Sequence, residues 1–202
     1  KYIQLNNYRN KGKSQSVKKG VLSSTGELVV IQDADLEYDP KDLVIFVKEF
    51  ISEHNLDVIY GNRFNSKNTF TNGTHKLGNR FITMLSNIFT YPRGFAPTDM
   101  ETCYKMVRGD IMRSIFKTLE SESNFGLEPE ITAKLSRYRK PNGKRLNFKE
   151  IDISYNDRDV SQGKKMNWFK SGFEALFEIL YFNSSAYIVE EIYHGKKIRR
   201  RF

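Results

Sequence analysis

The sequence predicts an α/β fold in which helices flank a mostly parallel sheet, and two observations lead to this prediction. Short segments rich in β-branched and aromatic residues alternate with longer segments of helical periodicity along the 202 residues, a pattern typical of strands joined by crossover helices. Residues 28–32 are a strand candidate whose continuous apolar residues indicate burial on both faces of a sheet. We therefore expect one domain at residues 1–182, followed by a basic tail at residues 183–202.

Each predicted element follows from a local pattern of this kind. Pro40 falls in the first turn of its helix, where the missing N–H of proline costs nothing. Residues 65–74 and 91–98 are rich in small polar residues, glycine or proline, and predict loops. In chain order, the predicted strands are residues 2–5, 28–32, 57–60, 102–107 and 148–155, and the predicted helices are residues 15–23, 40–53, 76–89, 110–119 and 129–139.

A last helix is predicted from an apolar stripe of Phe173, Leu176, Phe177, Leu180 and Tyr181. These residues recur at helical spacing and share one face. The stripe has two interpretations, because it can pack on its own domain or rest on a membrane surface beside the basic tail.

The charge distribution predicts an anionic partner. Lys and Arg number 33 against 24 Asp and Glu, a net charge of +9, and residues 1–26 contain no acid. A nucleic acid, a phosphorylated substrate or an acidic membrane surface would each suit this charge. The basic residues are not interleaved with a recognisable aromatic binding motif, so we expect no nucleic-acid partner.

Cysteine and hydropathy patterns bear on location. Cys103 is the single cysteine, so the simplest assumption is a reducing compartment. No segment approaches the roughly 20 apolar residues needed to span a bilayer, so we expect a soluble or peripheral chain.

The three histidines do not predict a metal site. His54, His75 and His194 are far apart in sequence and lack the spacing of metal ligands.

An acidic pair follows the strand candidate at residues 28–32. Asp33 and Asp35 are two residues apart, so their side chains can point to the same side. They lie where a strand ends, the edge at which open α/β sheets bind ligands. Hard cations such as Mg²⁺ prefer a few carboxylate oxygens completed by water and substrate phosphates. The pair therefore predicts a divalent-metal site that stabilises a diphosphate leaving group.

Seven motifs in order carry a resemblance to a known family. They resemble the family 2 glycosyltransferases of GT-A fold, specifically the dolichol-phosphate mannose synthase and polyprenyl-phosphate glycosyltransferase branch. The resemblance implies a GT-A, Rossmann-like sheet. Relatives begin with a strand ending in Val-Asp-Asp-Gly-Ser that is missing here, so we expect an N-terminally truncated domain lacking a βαβ segment of about 50 to 60 residues. The motifs are NKGK at 10–13, GELVVIQDADLEYDP at 26–40, VIYGNRF at 58–64, TDMETCYK at 98–105, FGLEPEI at 125–131, ISY at 153–155 with Arg158, and GKK at 163–165.

The resemblance also implies roles for individual residues. The expected metal ligands, for Mg²⁺ or Mn²⁺, are Asp33, Asp35 and Glu37. The expected catalytic residues are Asp99, Arg63 and Arg158. The expected substrate-binding residues are Lys13, Arg63, Lys76, Arg80, Arg158 and Glu130, of which the cations would hold donor or acceptor phosphates.

The implied reaction moves a hexose from GDP-mannose or UDP-glucose to a polyprenyl phosphate, dolichyl or undecaprenyl, with inversion. The acceptor lipid implies a peripheral protein at the cytoplasmic face of a membrane, with a membrane-anchor protein as a further possible partner. Three alternatives stay open, namely transfer to a glycan or protein hydroxyl, an inactive fragment, and a basic nucleic-acid-binding protein.

Overall fold

A computed structural model describes residues 2–64, 73–122, 125–157, 168–184, 189–193 and 196–200. Within these residues helices and strands alternate, as the sequence predicts. Most predicted elements are found with shifts of one to three residues at their ends. In chain order the elements are α1 (Gly12–Ser23), β1 (Leu28–Val30), α2 (Asp42–Ser52), β2 (Val58–Asn62), α3 (Gly73–Thr90), a 3-10 turn (Tyr91–Arg93), β3 (Lys105–Arg108), α4 (Gly109–Lys117), α5 (Leu127–Arg137), β4 (Phe148–Asp152), α6 (Trp168–Asn183), β5 (Val189–Tyr193) and β6 (Lys196–Arg200).

The central sheet has the strand order β1-β3-β2-β4. β2 and β4 pair in parallel, whereas β3 pairs antiparallel with both β1 and β2. Three of the four strands therefore run in the same direction, as predicted for a mostly parallel α/β sheet, but β3 is reversed between two of them. The reversal follows from the loop before β3. Asp99 in that loop is bound to Arg63 just beyond the carboxyl end of β2, so the chain enters the sheet from that edge.

The predicted strand at residues 2–5 is wrong. These residues have no strand structure, and Tyr2, Ile3 and Leu5 are exposed. Strand propensity expresses how well side chains fit a half-buried pleated surface, and no described strand pairs with this segment. The apolar residues at the start of the chain are therefore not part of the core in this structure.

Aromatic side chains form much of the core between the sheet and its helices. Tyr60 of β2 meets the rings of Phe95 and Phe148 edge-on at 5.6 and 5.3 Å between centroids. Gly61 follows on β2, where a Cβ would lie 2.7 Å from Ile153 Cδ1 and 3.2 Å from Tyr104 Cβ. The end of β2 is therefore packed so closely that glycine is required there.

Helices α3, α5 and α6 form a layer in which α5 is the inner member. Every residue of α5 is buried, and α3 and α6 pack against α5 and against each other. α6 contributes Ala175, Ile179 and Phe182 to this contact. The guanidinium of Arg137 also donates a hydrogen bond to the carbonyl oxygen of Phe182, which ties α5 to the end of α6.

The predicted apolar stripe of the last helix lies on the outward face of α6. Phe173, Phe177, Leu180 and Tyr181 are exposed, and Leu176 is half-buried. The interpretation in which these side chains pack on their own domain is therefore wrong for the four exposed ones. The face that does pack is formed by the smaller set of Ala175, Ile179 and Phe182. Among the residues described, no helix combines the length and apolarity needed to cross a membrane.

The expected basic tail at 183–202 contains β5 and β6, which pair antiparallel as a hairpin. No strand was expected there from the sequence. The expected loop at 65–74 and the motif at 163–165 lie mainly outside the described residues.

Candidate functional site

The acidic pair lies in the loop that follows β1. Asp33 and Asp35 are both half-buried. Asp35 Oδ1 accepts a hydrogen bond of 3.2 Å from the backbone N–H of Glu37. Leu36, between Asp35 and Glu37, has φ 64°, in the left-handed region that a branched residue rarely adopts. The loop is thus a tight turn held in a strained conformation, which is common where side chains are presented to a ligand.

Lys13 joins this loop to two other parts of the chain. Gly12 begins α1 with φ 77°, and its N–H donates to Asn10 Oδ1 at 2.9 Å. The next residue, Lys13, donates from Nζ to Asp33 Oδ2 and to Glu128 Oε1, both at 3.0 Å. Burial lowers the pKa of Lys13, but the carboxylates of Glu128 and Asp33 more than offset this and raise it. Lys13 is therefore a firmly protonated cation beside the acidic pair.

Glu37 is committed to contacts within the protein. It is buried, and its Oε2 accepts a hydrogen bond of 2.9 Å from the hydroxyl of Tyr155. Its backbone carbonyl accepts a hydrogen bond from the N–H of Asn156 at 2.9 Å. These bonds fasten the loop after β1 to the segment after β4, and the expected role of Glu37 as a metal ligand stays a prediction.

The oxygen-rich acidic pair suits a hard divalent cation. Asp33 and Asp35 offer partly exposed carboxylate oxygens, which leave coordination positions for phosphate and water. Within the described ranges, no group of three or more His, Cys, Asp and Glu side chains is arranged to hold a metal by itself. The residues present thus fit an ion that is completed by a substrate rather than an all-protein cage.

Arg63 and Asp99 form a buried ion pair just beyond the end of β2. Arg63 Nε and Nη2 donate to the two carboxylate oxygens of Asp99, each at 2.7 Å, and the Arg63 N–H donates to Oδ2 at 3.0 Å. Asp99 is fully buried. Burial opposes the charge of Arg63, but Asp99 raises the pKa of Arg63 well above its ordinary value. The expected catalytic carboxylate is therefore occupied by the expected catalytic cation.

The guanidinium of Arg63 also contacts two aromatic rings. The Arg63 guanidinium carbon lies 5.1 Å from the ring centroid of Tyr155, the residue that binds Glu37. On the other side it lies 5.9 Å from the ring of Phe64, and Arg80 of α3 lies 5.4 Å from the same ring. The acidic loop, the ion pair and the basic face of α3 are thus neighbours in space.

Two of the expected acceptor-binding cations are on α3. Arg80 is exposed and Lys76, one turn earlier, is half-exposed. Arg80 lies beside Phe64 and so close to Arg63, whereas the role of both cations in acceptor binding stays a prediction. Arg158, expected to act with them, lies outside the described residues.

Glu130, expected to bind substrate, is engaged in contacts within the protein, and its substrate role stays a prediction. Glu130 is fully buried in the first turn of α5. Its two oxygens accept hydrogen bonds from the backbone N–H groups of Glu120 and Ser121 at 2.8 and 2.7 Å, and Lys134 Nζ is 2.6 Å from Oε1. The carboxylate therefore fixes the turn before α5.

Sequence reasoning missed three acidic residues near the site. Glu128 binds Lys13, and Glu150 of β4 accepts hydrogen bonds from the N–H groups of Thr98 and Asp99 at 2.8 and 3.3 Å. Glu101 has a buried Oε1 without a hydrogen-bond partner, and burial together with Glu128 raises its pKa to about 8. Glu101 and Glu128 fall inside two of the recognised motifs, but nothing in their spacing indicates which carboxylates face inward.

Solved structures share this fold at low sequence identity. A mannosyl-3-phosphoglycerate synthase from Rubrobacter xylanophilus matches with a TM-score of 0.58 and 12% identity over 94% of this chain. A glucosyl-3-phosphoglycerate synthase from Mycobacterium tuberculosis, bound to Mn²⁺, UDP and glucosyl-3-phosphoglycerate, matches with a TM-score of 0.53 and 10% identity over 96%. The present chain spans 63% of the length of each of these proteins.

A family model gives a second, independent comparison. The model described as glycosyl transferase family 2 matches residues 2–116, more than half of the chain. The match includes Lys13, the acidic pair and the Arg63–Asp99 ion pair, and the fold agrees with the two synthases. The chain therefore belongs to glycosyl transferase family 2 and has a GT-A fold.

Proposed function

We propose that the chain carries the catalytic centre of a metal-dependent glycosyltransferase that uses a nucleotide-diphosphate sugar. The observation that carries this proposal is the position of Asp33 and Asp35 in a strained loop after β1, next to Lys13, in a family 2 domain. The M. tuberculosis synthase, which has the same fold, is described with Mn²⁺ and UDP. Mn²⁺ or Mg²⁺ are the corresponding ions for this chain.

In this proposal, Asp33 and Asp35 would hold the divalent ion, while Lys13 positions Asp33. When bound, the ion would stabilise the negative charge that develops on the departing nucleoside diphosphate. Attack of the acceptor on the anomeric carbon from the opposite side would invert its configuration. Lys13 itself is a cation, because Glu128 and Asp33 raise its pKa.

For the acceptor, we propose a phosphate-bearing molecule, with polyprenyl phosphate as the leading candidate. Lys76 and Arg80 are cations of α3, and Arg80 lies against Phe64 beside Arg63. A phosphate monoester is already ionised near neutral pH, so no base has to remove a proton from it. This agrees with the buried position of Asp99, which then positions Arg63. A lipid-linked acceptor would place the protein peripherally at the cytoplasmic face of a membrane.

A second candidate acceptor is a small phosphorylated acid. It is favoured by the names of the two synthases, both of which are described as acting in the formation of 3-phosphoglycerate glycosides. Both candidates place a phosphate against the same cations, and they differ in whether an apolar chain is attached to it.

The test is transfer of labelled sugar from UDP-glucose and GDP-mannose to polyprenyl phosphate and, in parallel, to 3-phosphoglycerate. Each mixture contains Mn²⁺, Mg²⁺ or a chelator. We expect metal-dependent product on one acceptor, lost in Asp35→Ala but kept in the matched control Asp39→Ala. Product on 3-phosphoglycerate alone would replace the lipid acceptor, and no product on either acceptor with either donor would refute the proposal.

A further inference from the structure

Two neighbouring helices expose large apolar side chains on their outward faces. On α3 the exposed residues are Leu77, Phe81, Met84 and Ile88, which are 53–70% exposed and recur at intervals of three and four residues along one face. The opposite face of α3 carries the buried side chains of Thr83, Ser86 and Thr90. A helix usually does the reverse and buries its apolar face in the core.

α6 repeats this arrangement. Phe173, Phe177, Leu180 and Tyr181 are 47–71% exposed, opposite the face that packs on α5. The rings of Phe177 and Tyr181 stack at 6.2 Å between centroids, so the exposed residues are ordered against each other.

The two exposed stripes belong to adjoining helices. α3 and α6 both pack on the wholly buried α5 and contact each other. We call these eight residues of α3 and α6 the outer apolar surface. Two such stripes on adjoining helices differ from the single scattered apolar residues of an ordinary protein surface and indicate an interaction site.

The described residues beside the α3 stripe are basic. α3 contains no acidic residue, and Lys76 and Arg80 lie along one edge of its stripe. The chain as a whole has a net charge of +9. The two acids of α6, Glu174 and Glu178, are half-buried and lie between its packed and exposed faces.

We propose that the outer apolar surface docks onto an anionic phospholipid bilayer, with α3 and α6 lying in the plane of the interface. Apolar side chains would enter the boundary between headgroups and acyl chains, while the flanking cations bind acidic headgroups. A second copy of this chain is disfavoured as the occupant, because a two-fold interface would bring the same basic rims together. The docking goes beyond the proposed reaction, since it requires neither donor nor acceptor.

The geometry would also bring the bilayer to the proposed acceptor site. Arg80 belongs to α3 together with the apolar stripe, yet its guanidinium lies over Phe64, next to Arg63. A phosphate at the membrane surface would therefore meet the same cations that are proposed to bind the acceptor.

Vesicle flotation tests the docking without any sugar transfer. The chain is mixed with vesicles of phosphatidylcholine alone or with about a third phosphatidylglycerol. We expect binding to the anionic vesicles that weakens at high salt. In Phe81→Gln/Phe177→Gln the binding should fall by about tenfold or more. The matched control Ile51→Gln/Val44→Gln changes exposed apolar residues of α2, and we expect it to bind like the wild type.

A second measurement covers the case in which the double variant does not fold. Met84→Cys, labelled with an environment-sensitive dye, should shift its emission to the blue on adding anionic vesicles, whereas labelled Ile51→Cys should not. Undiminished vesicle binding by a folded double variant, equal shifts from both labels, or dimers that form in place of vesicle binding would each overturn the proposal. Loss of transfer activity with intact vesicle binding would count against the proposed function alone.

Discussion

At the scale of single residues, the site is organised by paired charges, which are fully buried at Arg63–Asp99 and partly buried at Lys13. Arg63 and Asp99 saturate each other through two side-chain hydrogen bonds, and Lys13 joins Asp33 to Glu128. Buried charges are tolerated only when they are paired, and removing one partner leaves the other at high cost. The charges nearest the proposed chemistry therefore also contribute to the stability of the fold.

The Arg63–Asp99 pair gives a first prediction. Asp99→Asn should destabilise the chain by about 3–5 kcal/mol, because the buried guanidinium loses the carboxylate that balances its charge. Urea unfolding followed by circular dichroism measures the effect. The exposed Asp110→Asn at the start of α4 is the control, with an expected loss of about 1 kcal/mol or less. Equal losses in the two variants would show that the ion pair does not stabilise the fold.

Glu101 gives a prediction on pH. Its folded pKa is raised from 4.5 to about 8, chiefly by burial, so between these values the folded state holds a proton that the unfolded state has released. Stability contributed by this proton is complete below the unfolded pKa and is lost as the pH rises through the folded pKa. Glu101→Gln should therefore gain stability relative to the wild type between pH 5 and pH 8.

Denaturant midpoints at the two pH values measure this difference. Glu27→Gln, which changes an exposed glutamate, should show no such trend. A difference between Glu101→Gln and wild type that stays constant or narrows with rising pH would contradict the raised pKa.

At the scale of secondary-structure elements, the close packing of β2 determines where the site lies. Gly61 places the backbone of β2 against Ile153 and Tyr104. Two residues later Arg63 reaches Asp99. The end of the strand and the ion pair are thus positioned by the same short segment.

Two glycines make a matched test of this packing. Gly61→Ala should destabilise the chain by about 1–3 kcal/mol, since the added methyl group would overpack β2. Gly20→Ala lies within α1, where a Cβ would meet nothing within 4 Å, and should stabilise by about 0.5–1 kcal/mol. Thermal unfolding would show shifts of opposite sign, and a shift in the same direction for both variants would contradict this account of β2.

Sequence patterns predicted the helices and strands better than the contacts between them. Helical periodicity located α2, α3 and α5, although the apolar face of α3 points outward instead of into the core. The strand expected at residues 2–5 failed because pairing needs a neighbouring strand, which local propensity does not supply. Likewise Glu130 has the residue type and motif of a binding residue, but only the path of the chain at 119–121 shows that its oxygens are taken by backbone N–H groups.

At the scale of the whole molecule, ligand binding should be linked to stability. If UDP and Mn²⁺ bind the folded chain together, a concentration of 100 times the Kd raises the free energy of unfolding by about 2.7 kcal/mol. Thermal unfolding with UDP and Mn²⁺ should thus shift upward. UDP with a chelator, or Asp35→Asn with both ligands, should give little shift. An equal shift with and without metal would contradict the role proposed for the acidic pair.

The molecule also separates two kinds of surface. The outward faces of α3 and α6 are apolar, whereas the proposed reaction site is lined by carboxylates and cations. Arg80 belongs to both regions. This arrangement suits an acceptor with a phosphate head and an apolar chain. The vesicle assay tests the outer apolar surface, and the transfer assay tests the reaction site.

By itself the sequence determined the α/β class, the family motifs and the placing of Asp33 and Asp35 after a buried strand, because these depend on local periodicity and on residues close together in the chain. Tertiary structure decided which charged groups meet. Lys13 with Glu128, Arg63 with Asp99 and Arg80 with Phe64 come from separate elements. It also decided that the apolar stripes of α3 and α6 face outward, since periodicity identifies an apolar face but does not say what covers it.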